Sequence, residues 1–326
     1  MKPFLIRGRT EIHQGKGEGP LVAYLLYLIL KGFSLLINLL PESISLWLGR
    51  QLGWVAFHLD REHRRVALQN LHIAFGREKS EREIDSIAKK TFQNLGMTAV
   101  EFFRIPSMDV GIFKKRVEVE GLEEALKVLE KKKGALLLLS HFGNWELMGV
   151  MSKVLGNPIM VIAKPVKKNR WVDQWITEVR RGAGLEVIST EKASRKVIRA
   201  LSQNRVVGIL IDQRAKRSGG IWADFFGKKA STTPALAVLA MKTGAPVLPV
   251  FMIRNGFRKH RLWIKEPLEL ANTGDIKKDV QTNTQRINQT LESMIRQYPD
   301  QWFWVHRRWE RKKGTHRRRL ADQSKN

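Results

Sequence analysis

The segment 21–40 is almost wholly apolar; its only formal charge is Lys31, and Pro41 ends it. A helix of that length, at about 1.5 Å per residue, reaches across the hydrocarbon core of a bilayer. A lysine at mid-span is costly unless it snorkels or faces protein. Three placements therefore stand: a full span, a shallow interfacial helix, and a helix of a soluble core. Residues 1–20, with Gly15, Gly17, Gly19 and Pro20 among scattered charges, read as a flexible basic tail. A second apolar helical segment with two tryptophans covers 42–59, and amphipathic helices follow over 61–75 and 80–104. The latter opens on Ser80-x-x-Glu83, a capping box, and stops ahead of Pro106.

Near Val117 the period changes. Short apolar runs at 117–119, 135–139, 159–163, 185–188 and 206–211 alternate with helical stretches starting at Leu122, Asn144, Trp171 and Ser194. That alternation predicts an α/β fold, a mainly parallel sheet flanked by helices. The pattern then predicts a loop over 214–230 and a helix over 234–243, with Pro234 in its first turn and Gly244 at its end. Strands over 246–253 and 262–264 and a long polar helix over 275–298 complete it. The chain thus divides into the tail, the apolar helix 21–40, and one domain over 41–310, helical over 41–115 and α/β over 116–310. Residues 311–326 form a basic, solvated C-terminal tail.

The most apolar strand, 135–139, ends abruptly in Ser140-His141-Phe142-Gly143-Asn144-Trp145-Glu146. A strand feeding a polar turn and then a helix presents side chains at the strand's mouth. An imidazole beside a carboxylate there is a general base with its orienting partner, and His141 and Glu146 can meet if the turn folds back. Asn144 is placed to cap the following helix. The spacing alone is weak, since His13 and Glu18 repeat it inside the Gly-rich tail. A structural histidine at a helix start is the plain alternative.

The formal charge of +27, from 58 Lys+Arg against 31 Asp+Glu, makes this a chain that seeks polyanions: nucleic acid, anionic membrane, phosphorylated lipid or an acidic protein. With no cysteine, disulfides and thiolate metal sites are excluded. No small-residue cleavage site follows the apolar stretch, which is read as retained.

Four features in order resemble the bacterial lipid A acyltransferases, the lauroyl and myristoyl transferases of the lysophospholipid-acyltransferase group. They are the apolar helix 21–40, the Ser140-to-Glu146 motif, the Asp212-Gln213 pair ending a strand, and Tyr298-Pro299-x-x-Trp302-x-Trp304-x-His306-Arg307-Arg308-Trp309. Phe225-Phe226-Gly227 and Thr233-Pro234 also look like that family. The resemblance covers about 20–310. It implies an O-acyltransferase at the cytoplasmic face of a bacterial inner membrane, moving a fatty acyl chain from acyl carrier protein, or acyl-CoA, to a hydroxyl of a phosphorylated glucosamine-based lipid. It implies catalytic roles for His141 and Glu146, and matches Asp212 to a further acidic position. Arg180 or Arg181 matches a basic one. Arginine pairs well with phosphate, so Arg180, Arg181 and Lys164 are candidates for gripping the head group, with Asn144 at the turn contributing backbone donors for an oxyanion. Without that resemblance Arg180 and Arg181 read first as solvated charges, Arg170 and Lys167 more so, and Asp212 equally as a structural cap or pair. Trp302, Trp304 and Trp309 fit either core or membrane interface.

A thioester is already a good acyl donor, so one positioned base suffices and neither cofactor nor metal is expected. Acidic carrier protein, anionic inner leaflet and phosphorylated acceptor would each attract a basic enzyme. The rivals are an acyltransferase for another glycolipid or a glycerophospholipid, a non-catalytic membrane scaffold, and a basic nucleic-acid-binding protein. Glu at 146, where glycerol-phosphate enzymes resemble one another in carrying Asp, favours the lipid A branch. Against nucleic acid stand the apolar helix and the lack of any recognisable binding module.

Overall fold

A computed structural model describes residues 19–166, 169–190, 193–216 and 219–309. The predicted tails, apart from Gly19 and Pro20, lie outside the described residues, as do His13, Glu18 and Lys167.

Four helices open the chain: α1 (Pro20–Leu39), α2 (Glu42–Leu59), α3 (Arg61–Phe75) and α4 (Glu81–Arg104). Both halves of the predicted capping box are present, Ser80 accepting from Glu83 N–H and Glu83 from Ser80 N–H. α2 lies against α4 at backbone contact. A β-carbon on Gly53 would stand 2.2 Å from the Phe92 carbonyl oxygen, and one on Gly96 would stand 2.1 Å from that of Gly49. Three glycines thus let two helices approach more closely than any other residue permits.

After α5 (Val110–Arg116), the α/β region runs β1 (Val117–Glu120), α6 (Leu122–Glu130), β2 (Ala135–Leu139), α7 (Met151–Leu155), β3 (Met160–Ala163), α8 (Arg170–Gly182), β4 (Glu186–Ser189), α9 (Ala193–Ser202) and β5 (Val206–Leu210). It ends with β6 (Ile221–Phe225), β7 (Lys228–Thr232), α10 (Ala235–Thr243), β8 (Val247–Arg254), β9 (His260–Ile264) and α11 (Ile276–Gln297). Seven strands form one sheet in the order β1-β9-β8-β2-β5-β3-β4; its neighbours run parallel except β8 and β9. Helices cover both faces, as the alternation of strands and helices predicts.

Two local expectations are corrected. The predicted loop over 214–230 contains the hairpin β6–β7, whose turn places Phe226 and Gly227 at φ +52° and +67°. Its tip carries Phe-Gly rather than Asn-Gly, so the usual turn signal is missing. Side chains of α11 hold it instead: Gln285 and Glu292 accept from the N–H groups of Asp224 and Phe226, both at 2.7 Å. The helix expected from Asn144 does not begin there. Turns and a 3-10 segment, Leu147–Val150, intervene, and α7 starts only at Met151.

Strand alternation divides the interior into two cores. Leu136 and Leu138 of β2 and Val207 and Ile209 of β5 join the core beneath α3, α9, α10 and α11. Ala135 and Leu139 face the other way, toward α6, α7 and α8. The side chain of His141 borders a cavity on that second face.

Gly53→Ala is expected to force α2 off α4 at a cost of about 1–3 kcal/mol, read as a lower Tm in detergent. Gly32→Ala, where nothing stands within 4 Å, should leave Tm unchanged or slightly raised.

Candidate active site

The pleat that sends Ala135, Leu137 and Leu139 to one face continues one step further and carries His141 to the same side. Gly143 then turns the chain at φ +55°; a β-carbon there would stand 1.7 Å from the Met252 carbonyl oxygen, so no other residue fits. The C-terminal segment lies across this turn. Gly143 N–H donates to the Gln301 carbonyl (2.7 Å), and Phe303 N–H donates to that of His141 (3.1 Å).

The carboxylate that holds His141 is Asp212. Its Oδ1 lies 2.8 Å from His141 Nδ1, and its Oδ2 accepts from His141 N–H (3.0 Å) and from Trp302 Nε1–H (2.9 Å). Strand register explains the meeting: Leu139 pairs with Leu210 across β2 and β5, so the residues two beyond each strand end stand side by side. Glu146, expected to be the partner, lies beyond the Gly143 turn and reaches α8. There Arg180 donates to it through Nε (3.0 Å) and Nη2 (2.6 Å), and Trp145 Nε1–H adds a third bond at 3.2 Å.

Burial works against charge on both members of the His141–Asp212 pair, and their mutual attraction outweighs it. Asp212 is held below the usual carboxylate range, and His141 is raised above the ordinary histidine value by the charge and hydrogen bond of Asp212. An ionised Asp212 only accepts, so His141 carries its proton on Nδ1 and leaves Nε2 as the free base.

The other candidates separate. Asn144 is fully buried and does not line the cavity described below: its Nδ2 donates to Glu101 (2.6 Å), and its Oδ1 accepts from Leu147 N–H (3.3 Å). Three backbone donors of this turn are occupied: Phe142, Gly143 and Asn144 N–H bond the carbonyls of Ser140, Gln301 and Met252. Lys164 is exposed at the rim of the cavity described below, and Arg180 lines it with Glu146; Arg181 is exposed and outside it. Asp212 is buried and touches His141 rather than solvent. Trp302, Trp304 and Trp309 are core, not interface, packed around Phe225 and Phe226.

Sequence reasoning missed the scaffold behind the turn. Glu101 and Arg254, both buried, form a two-pronged ion pair. Gln301 exchanges two bonds with the backbone of Arg254. A lone acid inside the apolar run Val100-Glu101-Phe102-Phe103 was the available signal. Among the described residues no cluster of His, Cys, Asp and Glu could hold a metal ion.

Below His141 opens a cavity of about 440 Å³, walled by β2, β3, β5, β8, β9, α6 and α7 and apolar apart from its mouth. His141, Trp145, Glu146, Lys164, Arg180 and Gln213 line that mouth; Leu129 and Ala135 mark its far end along α6 and β2. An apolar slot beneath an imidazole has the shape to hold a hydrocarbon chain bearing a reactive end.

Residues 18–311 match the family described as bacterial lipid A biosynthesis acyltransferase. The chain belongs to that family. It is similar to the lipid A biosynthesis palmitoleoyltransferase of Escherichia coli K12, 27% identical over 83% of this chain and 86% of the relative. It is similar also to the lipid A biosynthesis lauroyltransferase of the same organism, 26% identical over 84% of this chain and 88% of the relative. A phosphatidylinositol mannoside acyltransferase of Mycolicibacterium smegmatis is 27% identical over 64% of this chain and 67% of the relative. The chain is thus an O-acyltransferase.

Because Asp212 raises His141, the acid limb of the rate profile should lie above the ordinary histidine pKa. Asp212→Asn should lower the acyl-transfer rate on the order of 10²- to 10⁴-fold and move that limb to lower pH. Glu146→Gln should move it far less. A pH–rate series on the three proteins checks both.

Proposed function

We propose that this chain transfers a fatty acyl group from a thioester, on acyl carrier protein or coenzyme A, to a hydroxyl of a phosphorylated glucosamine-based lipid A precursor. The observation that carries the reading is the His141–Asp212 pair at the mouth of an apolar cavity, where the acyl chain would lie with its thioester carbonyl beside Nε2. Family membership and the relatives' names support the glycolipid acceptor.

In this reading Nε2 removes the acceptor hydroxyl's proton as its oxygen attacks the thioester carbon. The C–S bond of the tetrahedral intermediate then breaks. The leaving thiolate takes the proton back from the imidazolium, giving an ester and a free thiol. Asp212 stabilises the imidazolium between the two transfers, and Trp302 fixes the carboxylate. The oxyanion is assigned to Arg180, which Glu146 holds charged and oriented on the cavity wall. That gives Glu146 an indirect catalytic role, through Arg180. Lys164 at the rim would meet a phosphate of donor or acceptor, whereas Arg181, outside the cavity, takes no part.

The apolar helix and the charge support membrane attachment at the cytoplasmic face of the inner membrane, facing acidic carrier protein and phosphorylated lipid. The window Leu21–Leu39 has a mean hydropathy of 1.8 and is only 11% buried, unlike the core helix of a soluble protein.

Two experiments test the reading. Purified enzyme given an acyl thioester and a lipid A precursor should add one acyl chain, by mass spectrometry, and His141→Ala should remove that product. Acylation of mannosylated phosphatidylinositol instead would move the acceptor to the other branch of the family. The second concerns Gly208, the residue of β5 between the cavity-lining Val206 and Leu210. A β-carbon there would stand 2.7 Å from Leu139 Cδ1. Gly208→Ala should drive Leu139 into the cavity and cut transfer of longer chains more than shorter ones in a competition assay, with Leu139→Ala added as the compensating change.

A further inference from the structure

α1 meets the rest of the protein along one stripe that runs its whole length. Ala23, Tyr27, Leu30, Phe33 and Ile37 repeat at helical spacing and pack inward. Polar pins hold both ends. Asn169 Nδ2 donates to the Ala23 carbonyl (2.9 Å), and Asn38 Nδ2 to that of Phe103 (2.9 Å). Arg104 Nη1 donates to the carbonyls of Ile37 (2.6 Å) and Leu40 (3.2 Å). The rings of Tyr24 and Tyr27 lie 5.3 and 6.1 Å from that of Trp171.

The opposite side of α1 is bare, with Leu39 83%, Leu21 70% and Ile29 66% exposed. α2 adds Ile44, Trp47, Leu52, Val55 and Leu59, exposed on its side away from α4. Contiguous apolar surface of this extent on a strongly basic chain fits a lipid leaflet.

The pins decide between crossing the bilayer and lying on it. α1 is about 30 Å long, the thickness of the hydrocarbon core. If it crossed, whatever is pinned along it would sit at hydrocarbon depth. That includes Arg170, Gln174 and Glu178, exposed on α8 beside its first half, and Arg104 and the exposed Ser107 and Asp109 beside its end. Exposed charges and polar groups there would face lipid with no water to solvate them. The same contacts cost nothing if α1 lies along the surface, its outer side in lipid and its pinned side against the aqueous body.

We propose that α1 and α2 dock this protein on a single leaflet, with α1 lying in the plane of the membrane rather than crossing it. The bare side sinks about 5–10 Å into the acyl boundary, and the Tyr24, Trp47 and Trp54 rings take the interfacial positions such rings favour. Asn169 N–H bonds the carbonyl of Val166 (3.3 Å), two residues beyond Lys164 at the cavity rim, so the leaflet adjoins the mouth. A lipid chain then moves between bilayer and cavity without crossing water.

This inference rests on membrane attachment through α1 but not on acyl transfer. Because the chain has no cysteine, each introduced cysteine is its sole thiol. Full-length Gly19→Cys, at the start of α1, and Lys131→Cys, on the body, are expressed and treated with a membrane-impermeant maleimide in inside-out and right-side-out vesicles. Both should react in the same vesicle orientation and neither in the other, with Ile29→Cys unreactive in both. Reaction of Gly19→Cys and Lys131→Cys in opposite orientations means a crossing helix and overturns the proposal. Protein left in the supernatant, or an Ile29→Cys thiol open to the reagent, overturns membrane attachment itself.

Discussion

The hydrogen bond between His141 and Asp212 is the interaction on which the rest of the site depends, and strand register makes it. Two parallel neighbours, β2 and β5, pair Leu139 with Leu210. The chain then needs only two more residues from each strand to bring an imidazole and a carboxylate together. Everything packed around them serves that meeting. Trp302 and the His141 N–H occupy one carboxylate oxygen and leave the other for Nδ1, while Phe303 ties the C-terminal segment to the His141 carbonyl. The same pleat that aims His141 into the cavity makes the cavity's floor from Leu137 and Leu139.

Behind the site, a second pair of charges fixes the turn. Glu101 and Arg254 are both buried, and burial opposes ionising Glu101, but the facing guanidinium outweighs it and holds its carboxyl below the usual range. Asn144 hangs from that carboxylate, so α4, β8 and the turn after His141 become one unit. Such a pair adds little net stability, but removing one member leaves a buried charge uncompensated. Nearby His260 is pushed down to about 4 by burial and stays neutral, so the unit's charge does not change across physiological pH.

Much of this was legible in residue order. Helix boundaries followed from caps such as Ser80, and the sheet followed from apolar runs alternating with helices. His141 stood out because the most apolar strand ends beside it. What stayed hidden depends on distance in sequence: Asp212 is 71 residues from His141 and Glu101 is 43 from Asn144, and local spacing favoured Glu146 because it is near in the chain. The Phe226-Gly227 hairpin was hidden because its turn is held by α11 rather than by its own residues. Side-chain direction, which separates Arg180 on the cavity wall from Arg181 outside it, follows from the helix phase against the sheet and not from either residue's identity.

The account comes down to one protonation state: a neutral His141 with its proton on Nδ1, made more basic by Asp212. A ¹⁵N-imidazole NMR titration of the wild-type enzyme, with the His141 resonances assigned by their loss in His141→Ala, measures it directly. The account predicts an Nδ1–H tautomer that titrates above the ordinary histidine value of about 6.5. An Nε2–H tautomer, or a His141 that stays neutral well below that value, would contradict it.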